Sequence, residues 1–443
     1  MANATMKPLQ VGLLGIGTVG FGTWSVLRRN EEEITRRAGR PIRITWIAER
    51  ALDRARELTR GATGINLTND AAVVLEHPDV DIVIELIGGI EPARSLILSA
   101  IAHGKHVVTA NKALLARHGN EIFAAAHAKG VMVAFEGAVA GGIPIIKALR
   151  EGLTANRIEW IAGIINGTSN FILSEMREKG ESFEAALKDA QAHGYAEADP
   201  TFDIDGIDSA HKLTIMSAIA FGVPMQFDKV YTEGISKLTR EDIRYAEEMG
   251  YRIKLLGITR RTKAGIELRV HPTLIPSKRL IANVEGVMNA VLVKGDAVGP
   301  TLYYGAGAGA EPTASAVIAD LVDVTRMHTA DPEHRVPHLA FRPDRLSDTP
   351  FLPMGDVETS YYLRMRVQDR PGVLADITRI LADRDISIDA MIQKEPPEGE
   401  DQTDIILLTH VTLERRVVDA IAHVEELPTV SGSVVRIRLE SLG

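Results

Sequence analysis

The stretch HGYAEADPTFDIDGIDSAHK, His193 to Lys212, sets five carboxylates and one lysine within twenty residues, a density foreign to an ordinary core segment. Fixed carboxylates can hold a metal or a substrate ammonium, and a lysine among them can pass a proton. The DIDG sequence invites comparison with a calcium loop, in which oxygen ligands recur at positions 1, 3, 5 and 12 around a glycine at 6. The count excludes it. With Gly206 at position 6, position 1 is Thr201 and position 12 is Lys212, a cation where the bidentate glutamate belongs.

GIDSAHKLTIMSAIAFG predicts a helix beginning near Gly206 and ending near Gly222, with Leu213, Met216 and Ala220 at core spacing. Asp208 and Lys212 then stand at i and i+4, neighbours on one face. That spacing serves either a plain surface ion pair or a paired acid and base. Glu197, Asp199, Asp203 and Asp205 gather at the same helix start, where unpaired backbone amides favour anions. Asp199, followed by Pro200, suits shaping the loop.

Such a cluster needs elements to position it. The first third of the chain alternates short apolar runs with helical patterns, the signature of a doubly wound parallel sheet of βαβ units. The expected strands are Leu9–Leu14, Ile42–Ala48, Ile82–Ile87, Lys105–Thr109 and Val131–Phe135. GIGTVG, Gly15 to Gly20, falls between the first strand and a helix expected over Phe21–Arg29. This is where a dinucleotide fingerprint needs a turn glycine, a glycine that admits the pyrophosphate, and a glycine that lets helix and strand pack closely. At the end of the second strand Glu49 suits a ribose hydroxyl and Arg50 a 2′-phosphate, so NAD and NADP both remain open. Lys112, in TANKALL, lies three residues past a strand end, where open α/β sheets bind ligands, or is a surface lysine on the next helix. In FEGAVAGGIP, small residues around Glu136 suit either an oxygen-ligated cation or a tight turn.

The chain's bulk composition limits the chemistry further. Its 443 residues suffice for two or three domains, with 45% hydrophobic and 25% charged residues. A net charge of −9 argues against nucleic acid or an anionic membrane as partner. MANATMKPLQVGLLG lacks the basic and apolar regions of an export signal, and no run is long enough to span a membrane, so a cytoplasmic protein is expected. The sequons at Asn66 and Asn166 are then chance matches. The absence of cysteine removes disulfides, thiolate zinc sites and cysteine nucleophiles. Beyond Met327 an aperiodic stretch rich in Pro, Asp, Arg and His reads as a linker, and the strand, DRPG turn and helix after it predict a separate small α+β domain.

GIGTVG, TANKALL, FEGAVAGGIPII, IINGTSNFIL, GYAEADPTFDIDGIDSAHK and GAGAGAEPTASAV, in this order, resemble homoserine dehydrogenase over residues 9 to 335. DRPGVLADITRILADRDISIDAM resembles an ACT domain, a βαββαβ amino-acid-binding module. The resemblance implies a Rossmann-type dinucleotide domain over 1–145, completed by about 305–335, and an α+β substrate and dimerisation domain over 146–304. A linker over 336–358 and a regulatory ACT domain over 359–443 complete it.

The implied reaction interconverts L-aspartate 4-semialdehyde and L-homoserine with NADP or NAD. By the same resemblance Lys212 is the acid, Glu197 and Asp208 hold the substrate ammonium, and Lys112 lies close to substrate and cofactor. Gly15, Gly17, Thr18, Val19, Gly20, Arg50, Gly194 and Gly309 belong to the cofactor site. Glu136 with the carbonyls of Val139, Gly141 and Ile143 matches a sodium-like cation site of structural role. His193 and His211 match no catalytic position of the family. A homo-oligomer and a threonine effector near Asp369–Leu374 are further implications. Other functional classes are a different amino-acid dehydrogenase and a pure amino-acid sensor, whereas an acylating semialdehyde dehydrogenase would need a cysteine that the chain lacks.

Overall fold

The computed structural model describes residues 6–396, 399 and 401–443. Strands β1 (Leu9–Leu14), β2 (Ile42–Ala48), β3 (Asn66–Thr68), β4 (Ile82–Glu85), β5 (His106–Thr109) and β6 (Val133–Ala134) form one sheet. All pairings are parallel, in the order β3-β2-β1-β4-β5-β6. β4 and β5 are buried along their whole length, which explains why they read as continuous apolar runs. The order reverses between β1 and β4, and that reversal opens a crevice at the carboxyl ends of the strands. The first two strands agree with the expected bounds; the fifth expected strand shrinks to two residues. β3, three residues inside the Asn66 sequon, is too short to show a pattern.

A second, mixed sheet begins with β7 (Ile158–Ile164), β8 (Tyr231–Thr232), β9 (Tyr251–Arg261), β10 (Ile266–Pro276), β11 (Met288–Gly295) and β12 (Gly299–Ala306). Helix Ile207–Phe221 packs against β9 and β10, and every one of its residues from Asp208 to Phe221 is buried. That burial on all sides fits a helix laid across a sheet and covered by neighbours, and it makes any charge on the helix expensive unless paired.

The C-terminal strands are β13 (Glu358–Gln368), β14 (Ile388–Gln393), β15 (Gln402–Thr409), β16 (Thr412–Leu413) and β17 (Val430–Leu439). They close a hydrophobic core of their own around Tyr361, Ile377 and Val417, yet their sheet is continuous with the mixed one. β17 runs parallel to β10, pairing Thr273 with Arg438 and Leu274 with Leu439, so one sheet runs β12-β11-β7-β9-β10-β17-β13-β15-β14. The seam is charged and buried. Arg269 is fully buried and donates to Glu267 at 2.9 Å and to Glu440, while Arg438, also fully buried, reaches Glu414 and Glu233. The stretch read as a linker is docked too: Ser347 donates its N–H to Gly222 O at 2.7 Å, Leu352 to Ile266 O at 2.8 Å, and Val133 to His338 Nε2 at 3.1 Å. Burial pushes His338 down to about 4, so its ring stays neutral and can accept that bond. Among the described residues no helix is long and apolar enough to cross a membrane.

Removing one partner of a buried ion pair strands the other charge, at about 3 to 5 kcal/mol. Glu440→Ala is therefore expected to lower stability by about 3 kcal/mol, at the lower end because Arg269 keeps Glu267. Urea unfolding followed by circular dichroism measures this. A chain ended near residue 350 should fail to give a soluble, stable protein, because it lacks Glu440 and uncovers β10.

Candidate functional site

At the crevice, each glycine of GIGTVG has its own steric reason. A Cβ on Gly15, whose φ is 90°, would sit 3.0 Å from Leu86 O; one on Gly20 would lie 2.1 Å from Gly15 O. A Cβ on Gly17 would meet nothing within 4 Å, so this backbone faces open space. Helix Thr18–Arg29 follows with no acidic residue in its first turn, leaving the amides of Thr18 and Val19 to an anion. Its Gly22 lies against Ala310 O, and Gly309, at φ 125°, caps helix Ala310–Met327. The GAGAGA segment thereby closes onto the glycine loop from a distant part of the chain. Glu49 accepts the N–H of Ile16 at 3.0 Å and of Ala51 at 3.2 Å, whereas Arg50 is exposed and has no polar partner among the described residues. These residues fit a dinucleotide: an unobstructed amide-lined turn with a free guanidinium at the end of β2.

Lys112 is placed by the TANK sequence itself. Glu85, buried at the end of β4, takes the N–H groups of Ile87 and Gly88 on one oxygen and the Thr109 hydroxyl on the other. Asn111 donates to Gly89 O at 2.7 Å and caps helix Lys112–Lys129 through Leu114 N. The helix can therefore start only at Lys112, whose ammonium reaches Asp208 Oδ1 at 2.9 Å.

Asp208 and Lys212 lie on helix Ile207–Phe221, as expected, between Gly206 at φ 81° and Gly222 at φ 63°. Lys212 Nζ donates to Asp208 Oδ2 at 2.7 Å and to Ile165 O at 2.6 Å. Asn166 Nδ2 also donates to Asp208 Oδ2, at 2.9 Å. An exposed i, i+4 pair is worth about 0.3 to 0.5 kcal/mol, but Asp208 is 3% and Lys212 7% exposed, so desolvation governs both. Burial pushes the Lys212 ammonium below the ordinary lysine value, against the pull of Asp208. For Lys112 burial acts the same way but Asp208 outweighs it, so that lysine is held above its ordinary value. Burial opposes ionisation of Asp208 as well, and the two lysines overcome it, holding the carboxylate well below its usual range. One lysine is thus primed to release its proton and the other to keep it.

Asp208 accepts Lys112 on Oδ1 and both Lys212 and Asn166 on Oδ2, so it orients the two lysines. Glu197, by contrast, is exposed and its carboxylate has no partner among the described residues. Gly194, at φ 73° with open space at its Cβ position, ends the helix leading to that loop. Asp203, of no assigned role in the sequence, is brought to within 2.7 Å of Asn166. Asn166 and Thr168 carry no assigned role in the sequence beyond the IINGTSNFIL motif and the sequon at Asn166; Thr168 donates to Tyr195 O at 2.7 Å.

Around Glu136 the structure shows a buried carboxylate whose oxygens accept Ile146 N–H at 2.9 Å and Lys147 N–H at 2.8 Å. Burial pushes it above the usual carboxylate value. Ile143 O accepts Ile145 N–H, while the carbonyls of Val139 and Gly141 accept no backbone bond among the described residues outside regular elements. Ala140 and Gly141, at φ 55° and 48°, hold this loop in a left-handed conformation. His193 sits at a helix end bonded to Asp189 O; His211 is buried between Phe202 and Phe227, and neither bonds to Lys212 or Asp208.

Known proteins resemble the chain over almost its whole length. Family models for homoserine dehydrogenase, for its NAD binding domain and for the ACT domain match residues 144–322, 15–136 and 361–429. Homoserine dehydrogenase of Pseudomonas aeruginosa is 64% identical, covering 99% of this chain and 100% of that protein. The chain belongs to the homoserine dehydrogenase family. Its members are NAD(P)-dependent oxidoreductases, and this one carries a C-terminal ACT domain. The Neisseria gonorrhoeae member is 58% identical, with 99% and 100% covered. A homoserine dehydrogenase structure from Thiobacillus denitrificans superposes with TM-score 0.95 at 73% identity, over 99% of this chain and 100% of that one. One from S. aureus gives TM-score 0.74 at 31% identity, over 98% and 99%.

Asp208→Asn removes the charge between two lysines while keeping the shape. Turnover is expected to fall by at least about 100-fold, the scale of a lost acid–base arrangement, and steady-state kinetics on folded protein checks it.

Proposed function

We propose that the chain catalyses NADP- or NAD-dependent interconversion of L-homoserine and L-aspartate 4-semialdehyde at the Lys112–Asp208–Lys212 cluster. The observation that carries this reading is the buried Lys212 ammonium held at 2.7 Å by Asp208, on the carboxyl side of a sheet with an open dinucleotide turn. A nicotinamide dinucleotide held at the Gly15–Gly20 turn would supply the hydride acceptor for oxidation at the substrate's C4 and the hydride donor for reduction. In oxidation Lys212, as neutral amine, takes the hydroxyl proton as the C–H bond breaks, and the C–O bond becomes a carbonyl. In reduction the same ammonium donates to the developing alkoxide. Burial, by lowering the Lys212 pKa, enlarges the neutral fraction that oxidation needs.

Asp208 orients both lysines, Lys112 keeps its charge to hold a substrate oxygen, and the unpartnered Glu197 takes the substrate ammonium. Arg50, free at the end of β2 while Glu49 is occupied by backbone N–H groups, favours a 2′-phosphate and hence NADP. The buried Glu136, with unused carbonyls at Val139 and Gly141 and the carbonyl of Ile143 beside them, fits a hard monovalent cation of structural role. An amino-acid effector such as threonine would bind around Asp369–Leu374, where an exposed turn from Asp369 to Gly372 leads into a helix at Val373, and act through the shared sheet, in a homo-oligomer of the cytoplasm.

Steady-state rates with L-homoserine, aspartate, alanine and glutamate, each with NADP and NAD, test the reading; faster turnover of any other amino acid would overturn it. Lys212→Ala should cut turnover by about 100-fold or more, and Glu197→Gln should mainly raise KM for homoserine. Oxidation should rise with pH along a limb centred below about 10.4, the free lysine value. A rate independent of pH from 7 to 10 contradicts Lys212 as the base. Threonine should slow the full-length enzyme, with Asp369→Ala relieving that inhibition.

A further inference from the structure

Asn166 is 5% exposed and uses every hydrogen-bonding group of its side chain. Its Oδ1 accepts the N–H of Ser169 at 2.8 Å and so caps helix Gly167–Lys179. That acceptor contact decides which way the carboxamide faces, because only the oxygen can take a backbone N–H. Nδ2 must then point at the cluster, where its two hydrogens go to Asp203 Oδ1 at 2.7 Å and Asp208 Oδ2 at 2.9 Å. The helix start cannot slide, since a Cβ on Gly167 would lie 2.7 Å from Val287 O, and Ser169 Oγ ties the same turn to Asp203 O at 2.9 Å. One amide therefore bridges two carboxylates that would otherwise repel each other beside the reacting lysine.

We infer that Asn166 is a positioning residue: its carboxamide fork sets Asp203 and Asp208 side by side and shares Asp208 Oδ2 with Lys212, tuning how tightly that oxygen holds the ammonium. The inference rests on the proposed acid–base role of Lys212. Lys212 and Asn166 compete for one oxygen, so each draws charge that the other would use. Without the amide donor the oxygen binds the ammonium more strongly, and Lys212 gives up its proton at higher pH. The charged groups that face Lys212 are Asp208 on its own helix, Lys112 from helix Lys112–Lys129 and Asp203 from the turn Thr201–Ile204; His211, beside it in sequence, is turned into the Phe202 and Phe227 rings. Of these only Asp203 and Asp208 receive a bond from Asn166.

The capping and bridging roles separate by substitution. Serine keeps an oxygen that can cap the helix but has no amide to bridge the carboxylates; alanine loses both. In Asn166→Ser the thermal midpoint should stay near wild type and kcat for homoserine should fall about tenfold or more. The pH limb of oxidation should move to higher pH. Asn166→Ala should match that kinetic loss and add a drop in thermal midpoint. Competitive acetylation of the full-length protein with acetic anhydride, read at Lys212 by peptide mass spectrometry across pH, follows the same proton without turnover. Its midpoint should rise in Asn166→Ser. An unmoved acetylation midpoint in Asn166→Ser overturns the inference, as does wild-type kcat with an unmoved limb. A wild-type enzyme inactive on homoserine overturns the proposed reaction alone, because acetylation still reports the Asn166–Lys212 coupling.

Discussion

The Asp208 carboxylate is the point on which the catalytic part of the molecule depends. It accepts Lys112 from the helix after β5 and Lys212 from its own helix, so it joins the dinucleotide-binding sheet to the helix laid over the mixed sheet. Burying Asp208 and Lys212 together beside a half-buried Lys112 is no route to stability, since desolvation offsets most of their attraction. What the arrangement does supply is asymmetry. The same carboxylate leaves one lysine with a raised and the other with a lowered affinity for its proton, because the second is the more deeply buried. Two like residues thereby acquire different roles from environment alone.

A comparable logic joins the C-terminal ACT domain to the rest of the mixed sheet. Only two residue pairs connect β10 and β17 along the backbone, yet Arg269 and Arg438 commit their guanidinium groups across that seam. Glu233, which meets Arg438, also donates its backbone N–H to Val270 O, and Ile235 donates to Ile204 O. Ile204 closes the short helix that carries Asp203, so the seam and the carboxylate loop are both tied to the segment 233–235. A change at β17 is thus mechanically adjacent to the site. Buried charge pairs suit such a joint, because they tolerate few alternative geometries.

Much of this was legible in the residues themselves. The glycine spacing of the first loop, the i, i+4 pair on a helix bounded by Gly206 and Gly222, and the βαβ alternation all follow from local geometry, which leaves a periodic or steric trace in sequence. The β3 strand and the docked segment between Met327 and Glu358 left no such trace: three residues carry no period, and a strap held by scattered backbone bonds needs none.

The sequence by itself determined which groups were available: a chain without cysteine, a lysine one helical turn from an aspartate, and a strand–glycine–helix turn able to seat a phosphate. Tertiary structure decided what those groups became. Which donors gathered on Asp208, whether Asn166 was a sequon or a bridge, and whether the last strand stood alone or completed another sheet depended on partners far away in the chain. Hydrogen bonds and desolvation act through distance in space, and spacing along a chain records only the contacts that lie within a turn or a strand of each other.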